Sequence, residues 1–286
     1  MRALADLHLH SSVSDGTNSP AQLVEMAVEK ELGAIALTDH DTLDGIGRFM
    51  AANAPDWLIR IPGVEISTLY NGHETHVLGY FVPSNVIRLR ERLAYLEKKR
   101  QERFPKMVRK LNDLGIKITK RELKQVLVGV ASPGRPHLAR LLVMKGIVRD
   151  EVEAFEVYLG ETKPAYVAKE MIDAREAIAL LRTEKVVPVL AHPLTIGSTN
   201  LRRDLKELQQ AGLLGVEVNY SYEHMYTHVT PGQVSEAADG LGLIETGGSD
   251  HHGDDSRSLM GEVTVSLAVV DSLREASGAL RTKDVD

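Results

Sequence analysis

The 286-residue sequence predicts an α/β fold on a mainly parallel sheet, interrupted by one helical insertion. Three observations predict it. Short apolar runs alternate with segments of helical period along most of the chain. One stretch, residues 97–169, loses the strand signal and reads almost wholly as helix. The composition, 43% apolar and 26% charged, is that of an ordinary globular chain, and no run nears the roughly 18 apolar residues of a membrane span.

The elements follow in order. "RALADLHLH" reads as a first strand. "SPAQLVEMAVEKE" is a helix, because Leu23, Met26 and Ala27 recur at helical spacing behind the start signal Ser19-Pro20. "LGAIALTDHD" is a short apolar strand ending in polar residues, and "LIRIPGVEIST" and "THVLGYFV" are further strands. The helical stretch opens with "EKKRQERFPKMVRKLNDLG". Beyond it, "DAREAIALLRTEK" is a helix, "VVPVLAHP" a strand ending in His192, and "LRRDLKELQQAG" a helix. "LLGVEVNYS" is a strand, "PGQVSEAADGLG" is helical, and "LIETGGSDHHG" is a strand and loop. The expected division is therefore 1–96 and 170–286 for the two parts of the α/β body, with 97–169 inserted between them.

Charge divides the same way. Residues 97–169 carry 17 Lys+Arg against 9 Asp+Glu, a net of +8, and the rest carries 17 against 31, a net of −14. A basic insert on an acidic body points to an anionic substrate held between them, although a solvated helical face would show the same charge. The absence of cysteine excludes disulfides and thiolate metal sites, so with eleven histidines any metal would take nitrogen and oxygen ligands. No G-x-x-x-x-G-K loop supports ATP-driven chemistry. One Trp and four Phe supply no obvious stacking platform for long single strands. The opening "MRALADLHLH" lacks an apolar signal region, so the expected address is the cytoplasm.

Histidines and carboxylates recur at the ends of successive predicted strands. They are His8, His10 and Asp15 in "ADLHLHSSVSDG", His40 in "LTDHD", Glu65 in "PGVEIS", His76 in "ETHVLGY", His192 in "LAHP", and Asp250 and His252 in "GGSDHHG". In a parallel α/β barrel those ends share one face, so residues far apart in sequence converge. Side chains at i and i+2 of a strand share a face, so His8 and His10 can grip one ion. Any one of these histidines alone reads more readily as a satisfied core residue. Nine such residues at strand ends are enough for more than one divalent cation, with a carboxylate such as Glu65 able to bridge two.

"DLHLHSSVSDGTNSP", "GAIALTDHDTLDG", "PGVEIST", "HVLGY", "VLAHP" and "GGSDHHG" stand in the order found in the PHP (polymerase and histidinol phosphatase) phosphoesterases, which this chain resembles over most of residues 5–96 and 186–254. The resemblance implies a distorted (β/α)7 barrel with two or three divalent ions, Mn²⁺ foremost and Fe²⁺ or Zn²⁺ also fitting. Carried over, His8, His10, Glu65 and Asp250 hold one ion. Glu65, His76 and His192 hold a second, and Asp15, His40 and His252 a third. The spacing Asp-x-His selects His252 over its neighbour His251.

Within the insert, "SPGRPHLARLLVMKGIV" and "KPAYV" look like the stand-alone subgroup that acts on nucleotides. That subgroup includes 3′,5′-nucleoside bisphosphate phosphatases and 5′–3′ exonucleases of short RNA. By this resemblance Arg135 and His137 reach substrate phosphates, to which the planar Arg fork is suited. Ser221 and His224 of "NYSYEHMY" would line the mouth; His224 reads equally as a surface residue. The implied reaction is loss of the 3′-phosphate from a 3′,5′-nucleoside bisphosphate, with water made acidic by the ions attacking phosphorus in line. Alternatives are exonuclease action on short oligoribonucleotides or another small phosphatase activity such as that on histidinol phosphate. An amide hydrolase is disfavoured by the basic insert, and a non-catalytic module by the complete ligand set. No protein partner is implied.

Overall fold

The structure is a computed structural model that describes residues 3–127, 134–196, 198–222, 231–253 and 258–282. Two compact units divide the chain: Met1–Leu93 with Met171–Asp286, and Ala94–Glu170. In the first, the strands are β1 (Leu4–Leu9), β2 (Ala34–Leu37), β3 (Ile59–Tyr70), β4 (His73–Tyr80), β5 (Ile172–Asp173), β6 (Val187–Leu190), β7 (Gly215–Asn219), β8 (Ile244–Gly247) and β9 (Val265–Ser266). They run in the order β8-β7-β6-β4-β3-β2-β1-β9, with β5 on β3. The sheet curls into a nearly closed barrel. Beyond β8, His251 pairs with Leu9 at the end of β1, and the His10 N–H donates to the His251 carbonyl at 3.0 Å.

Among the described residues five of the eight strand pairings are parallel; β4 is antiparallel to both β3 and β6, and β9 to β1. β3 and β4 form a hairpin around Asn71-Gly72, whose φ angles of 49° and 87° are the left-handed pair of a two-residue hairpin turn. The apolar runs predict two separate strands with functional residues at their ends. Instead Glu65 and His76 lie inside long strands. The parallel pairing of β3 with β2 ends at Leu37↔Pro62, and the hairpin carries on past it. Glu65 thus sits just beyond the parallel layer, bridged in backbone register to His40. His76 reaches the same level from the antiparallel return strand.

The helices of the first unit explain themselves locally. α1 (Pro20–Glu29) starts on a capping box, with the Ser19 hydroxyl accepting from the Gln22 N–H and the Gln22 side chain accepting from the Ser19 N–H, and with Pro20 pre-set for the first turn. Its Leu23, Val24 and Ala27 pack on Ile35 and Leu37 of β2 and on Phe49 of α2 (Ile46–Ala51). Full burial of each Leu or Ile contributes about 1.5–3 kcal/mol.

α3 (Ile87–Asp113) runs from the end of the first unit into the second, where α4 (Lys120–Val126), α5 (Arg135–Met144) and α6 (Glu151–Ala154) follow it. The second unit has its own core of Phe104, Met107, Leu111, Leu138, Leu142 and Leu159. α7 (Ala174–Thr183), capped by Asp173, returns the chain to the first unit, followed by α8 (Leu201–Gln210), α9 (Pro231–Ala238) and α10 (Leu267–Thr282). Val270, Leu273 and Leu280 of α10 close the barrel core around Ala5, Ala34, Leu78 and Val187. Among the described residues no helix is long and apolar enough to cross a membrane.

Candidate metal centre

β1 delivers His8 and, one residue beyond its end, His10; both are fully buried. Their Nε2 atoms lie 3.2 and 3.1 Å from Glu65 Oε2, and 3.4 and 3.1 Å from Asp250 Oδ1. Glu65 is itself fully buried, and its two oxygens face different ways. Oε2 faces His8, His10 and, at 3.2 Å, His40 Nδ1. Oε1 faces His76 Nδ1 at 2.8 Å and His192 Nε2 at 3.1 Å, and those two nitrogens are 3.3 Å apart. A third group forms around Asp15, with His252 Nε2 at 3.3 Å, His10 Nδ1 at 3.8 Å and His40 Nε2 at 3.9 Å. All nine histidine and carboxylate residues singled out in the sequence therefore come together in the first unit.

Local structure sets these positions. Asp15 stands on a turn anchored to the Ser11 carbonyl, where a Cβ on Gly16 would lie 2.4 Å from the His10 carbonyl oxygen, so that position needs glycine. Asp39, next to His40, accepts from the Ser11 N–H and hydroxyl at 2.7 and 2.8 Å and from the Ser14 hydroxyl at 2.9 Å, pinning the same turn. His192 and Asp250 have φ of 24° and 53°, in the left-handed region that non-glycine residues rarely adopt and that clusters at functional sites. His252 donates from Nδ1 to the Asp250 carbonyl at 2.8 Å, leaving Nε2 toward Asp15. His251 is turned instead toward Asn18, the Ser258 carbonyl and the Met260 N–H.

The donor set fits divalent cations. His8 Nε2, both nitrogens of His10, His40 Nδ1 and Glu65 Oε2 are buried and have no hydrogen-bond partner. Buried polar atoms ordinarily demand a partner, and here they are gathered face to face around Glu65 and Asp250. Among the described residues, three sets have ligand atoms within 4.8 Å of one another: His8, His10, Glu65 and Asp250; His40, Glu65 and His76; and His10, Asp15, His40 and His252. Nitrogen and carboxylate oxygen without thiolate suit first-row divalent metals.

Electrostatics bind the cluster together. Burial would raise the Glu65 carboxyl, but the imidazoles of His40, His76, His8 and His10 hold it well below the usual carboxylate range. Asp250 is likewise pushed up by burial and pulled well down by His8 and His10. For His10, burial is outweighed by Asp250 and Glu65, which push it up to about 9. His40 stays well below its usual value because of burial and the neighbouring His10 and His76. Asp15, His76 and His40 are 53%, 20% and 13% exposed at their side chains, whereas His8 and His10 are sealed. The cluster is therefore more open to solvent on the side of Asp15, His76 and His40.

Four residues with no predicted role support the ligands. Glu217 of β7 contacts His8 Nδ1 at 2.9 Å and accepts the His192 N–H at 2.8 Å. Tyr220 donates its hydroxyl to Asp250 Oδ2 at 3.0 Å. Asp39 pins the Asp15 turn as described. Asp6 accepts from the Ser249 N–H and hydroxyl and from the Gly261 N–H at 2.6–2.9 Å, and burial pushes its carboxyl up to about 6. A signal existed for Glu217: an acid between Val216 and Val218 in an apolar strand is either unpaired or a partner to buried donors.

The remaining sequence-derived residues stand elsewhere. Arg135 and His137 open α5 in the second unit. The Arg135 guanidinium lies over the rings of Phe155 and Tyr166 at 5.7 and 5.6 Å, and His137 Nδ1 accepts the Gly134 N–H at 3.1 Å. Ser221 follows Tyr220 and is partly exposed; His224 lies outside the described residues.

Comparison with known proteins gives the same picture. The PHP domain model matches residues 6–145. A 3′,5′-nucleoside bisphosphate phosphatase of Chromobacterium violaceum is 30% identical over 86% of each chain. A 5′-3′ exoribonuclease of Haemophilus influenzae is 33% identical over 74% of this chain and 78% of its own. Among solved structures, a Bifidobacterium adolescentis chain assigned as a metal-dependent phosphoesterase superposes with a TM-score of 0.76 at 27% identity, covering 95% of this chain and 96% of that one. A relative of that extent and identity, laid over a barrel that gathers histidines and carboxylates around Glu65, places the chain in the PHP domain family, as a metal-dependent phosphoesterase.

Proposed function

We propose that this phosphoesterase removes the 3′-phosphate of 3′,5′-nucleoside bisphosphates, with Mn²⁺ as its ion. His8, His10, Glu65 and Asp250 would hold one ion, Glu65, His76 and His192 a second, and Asp15, His40 and His252 a third. The observation that carries the reading is Glu65, one buried carboxylate whose two oxygens face two separate sets of imidazoles. When bound, the ions supply Lewis acidity toward phosphate oxygens and lower the pKa of a water. The chain does the rest by positioning. His40 turns Nδ1 to Glu65 and Nε2 toward Asp15 on the more exposed side. His252 spends its Nδ1 proton on the Asp250 carbonyl and presents Nε2. Arg135, steadied by Phe155 and Tyr166, would take the 5′-phosphate as a handle, joined by His137. Ser221 and His224 are proposed for the mouth. The name of the Chromobacterium violaceum relative supports this substrate.

A second reading, 5′-3′ degradation of short RNA, is supported by the names of the Haemophilus influenzae and Escherichia coli relatives, the latter 34% identical over 66% of this chain. A 5′-phosphate handle would serve both. The test is phosphate release with added Mn²⁺ from 3′,5′-bisphosphates, 3′-monophosphates and 5′-phosphorylated oligoribonucleotides, before and after chelation. Arg135→Ala removes charge-assisted hydrogen bonds of about 1.5–3 kcal/mol each. It should lower kcat/KM on the bisphosphate about ten- to a hundredfold, spare the 3′-monophosphate, and leave bound metal unchanged. Equal losses on both substrates refute the handle. Activity unchanged by chelation, in protein free of metal, refutes the reading as a whole.

A further inference from the structure

Glu217 is in none of the proposed ligand sets, yet its single carboxylate spans two of them. It lies on β7, fully buried. Oε1 is 2.9 Å from His8 Nδ1, and Oε2 accepts the main-chain N–H of His192 at 2.8 Å. The opposite nitrogen of His8, Nε2, is the one that faces Glu65 Oε2 and Asp250 Oδ1. His192 holds the rare φ of 24°, and its Nε2 faces the other oxygen of Glu65. We infer that Glu217 is a positioning residue that sets the tautomer of His8 and holds the His192 main chain, so that the ligand sets on both sides of Glu65 depend on one carboxylate. This rests on the ion sites proposed above.

The argument is one of donors and acceptors. An ionised carboxylate only accepts, so the His8 nitrogen facing it must carry the proton, and Nε2 keeps its lone pair for a cation. The His192 N–H is an obligatory donor and needs the second oxygen. Glutamine has nearly the same shape but offers one acceptor and one donor, so it cannot serve both partners. With its oxygen on the His192 N–H, its amide faces His8 Nδ1 and moves the imidazole proton to Nε2, where the ion should bind. With the amide reversed, two N–H donors face each other at His192. Alanine imposes neither conflict; it leaves a space and frees His8 to take either tautomer.

The two substitutions therefore separate positioning from packing. Mn²⁺ affinity, measured by titration of the metal-free full chain, should fall roughly tenfold to a hundredfold in Glu217→Gln, and further than in Glu217→Ala. Thermal stability of the metal-free protein should rank the other way, with the alanine variant the weaker. A residue that merely filled space would make alanine worse in both. Mn²⁺ binding by Glu217→Gln that equals wild type, or exceeds Glu217→Ala, overturns the inference. Should the variants not fold, wild type decides. In Zn²⁺-loaded protein with ¹⁵N-labelled histidine, assigned through His8→Ala, long-range ¹H–¹⁵N correlation must show His8 protonated at Nδ1. A bare Nδ1 overturns the inference. Wild type that takes up no Mn²⁺ overturns the ion sites themselves, a failure distinct from a wrong ranking of the variants.

Discussion

Tyr220→Phe removes one hydroxyl from beneath the cluster and little else. The ring packs 5.2 Å from that of His192 and 4.8 Å from that of Tyr222, contacts that phenylalanine keeps. What goes is the hydroxyl donated to Asp250 Oδ2 at 3.0 Å. Asp250 is buried, sits at φ 53°, and turns its other oxygen toward His8 and His10. A hydrogen bond to an ionised acceptor contributes about 1.5–3 kcal/mol. That free energy restrains the Asp250 rotamer and stabilises its charge, both needed to bind an ion. Mn²⁺ affinity should therefore fall roughly tenfold to a hundredfold. The direction with pH also follows. The carboxyl of Asp250 is held well below its usual range, and losing a donor lets it rise. Protons then compete with the ion at higher pH, so Mn²⁺ uptake by the variant should collapse earlier on acidification. The assay is a Mn²⁺ titration of metal-free wild type and variant at several pH values. Equal affinities and equal pH profiles would refute the claim that Tyr220 supports this ligand.

Two further outcomes are expected. Glu65 faces five imidazoles with two oxygens, whereas His252 faces Asp15 and Asp250, so Glu65→Ala should lose more bound metal and more turnover than His252→Ala; equal, small losses in metal content after dialysis would contradict the assignment. In the second unit, Lys145 and then the Thr119 N–H and hydroxyl hold the Glu122 carboxyl down at about 2, against a usual 4.5. A depressed folded-state value means stability present above about 4.5 and lost as pH falls through about 2. Thermal melts of wild type and Glu122→Gln should differ at neutral pH and converge across that window. The difference should shrink in high salt because the pair is on the surface. Curves that stay parallel to the acid end would contradict it.

The alternation of strands and helices was legible in the sequence because it rests on short-range periodicity. Leu23 and Ala27 mark a helix face wherever that helix packs, and Ser19-Pro20 marks its start regardless of partners. The residues now gathered around Glu65 were legible as candidates because imidazole and carboxylate are rare at the ends of apolar strands unless paired. Other features were readable and passed over. The Asn71-Gly72 pair announces a hairpin, and missing it put Glu65 and His76 at strand ends rather than within β3 and β4.

The rest belonged to tertiary structure alone. No local pattern says that Glu65 turns one oxygen to His8, His10 and His40 and the other to His76 and His192, because those partners arrive from four other segments of the chain. Nor does it say that Glu217, 209 residues from His8, meets the Nδ1 of that imidazole at 2.9 Å. A residue's type announces what it can donate or accept; only the curled sheet, by bringing β1, β3, β6 and β7 to one place, decides which atom meets which.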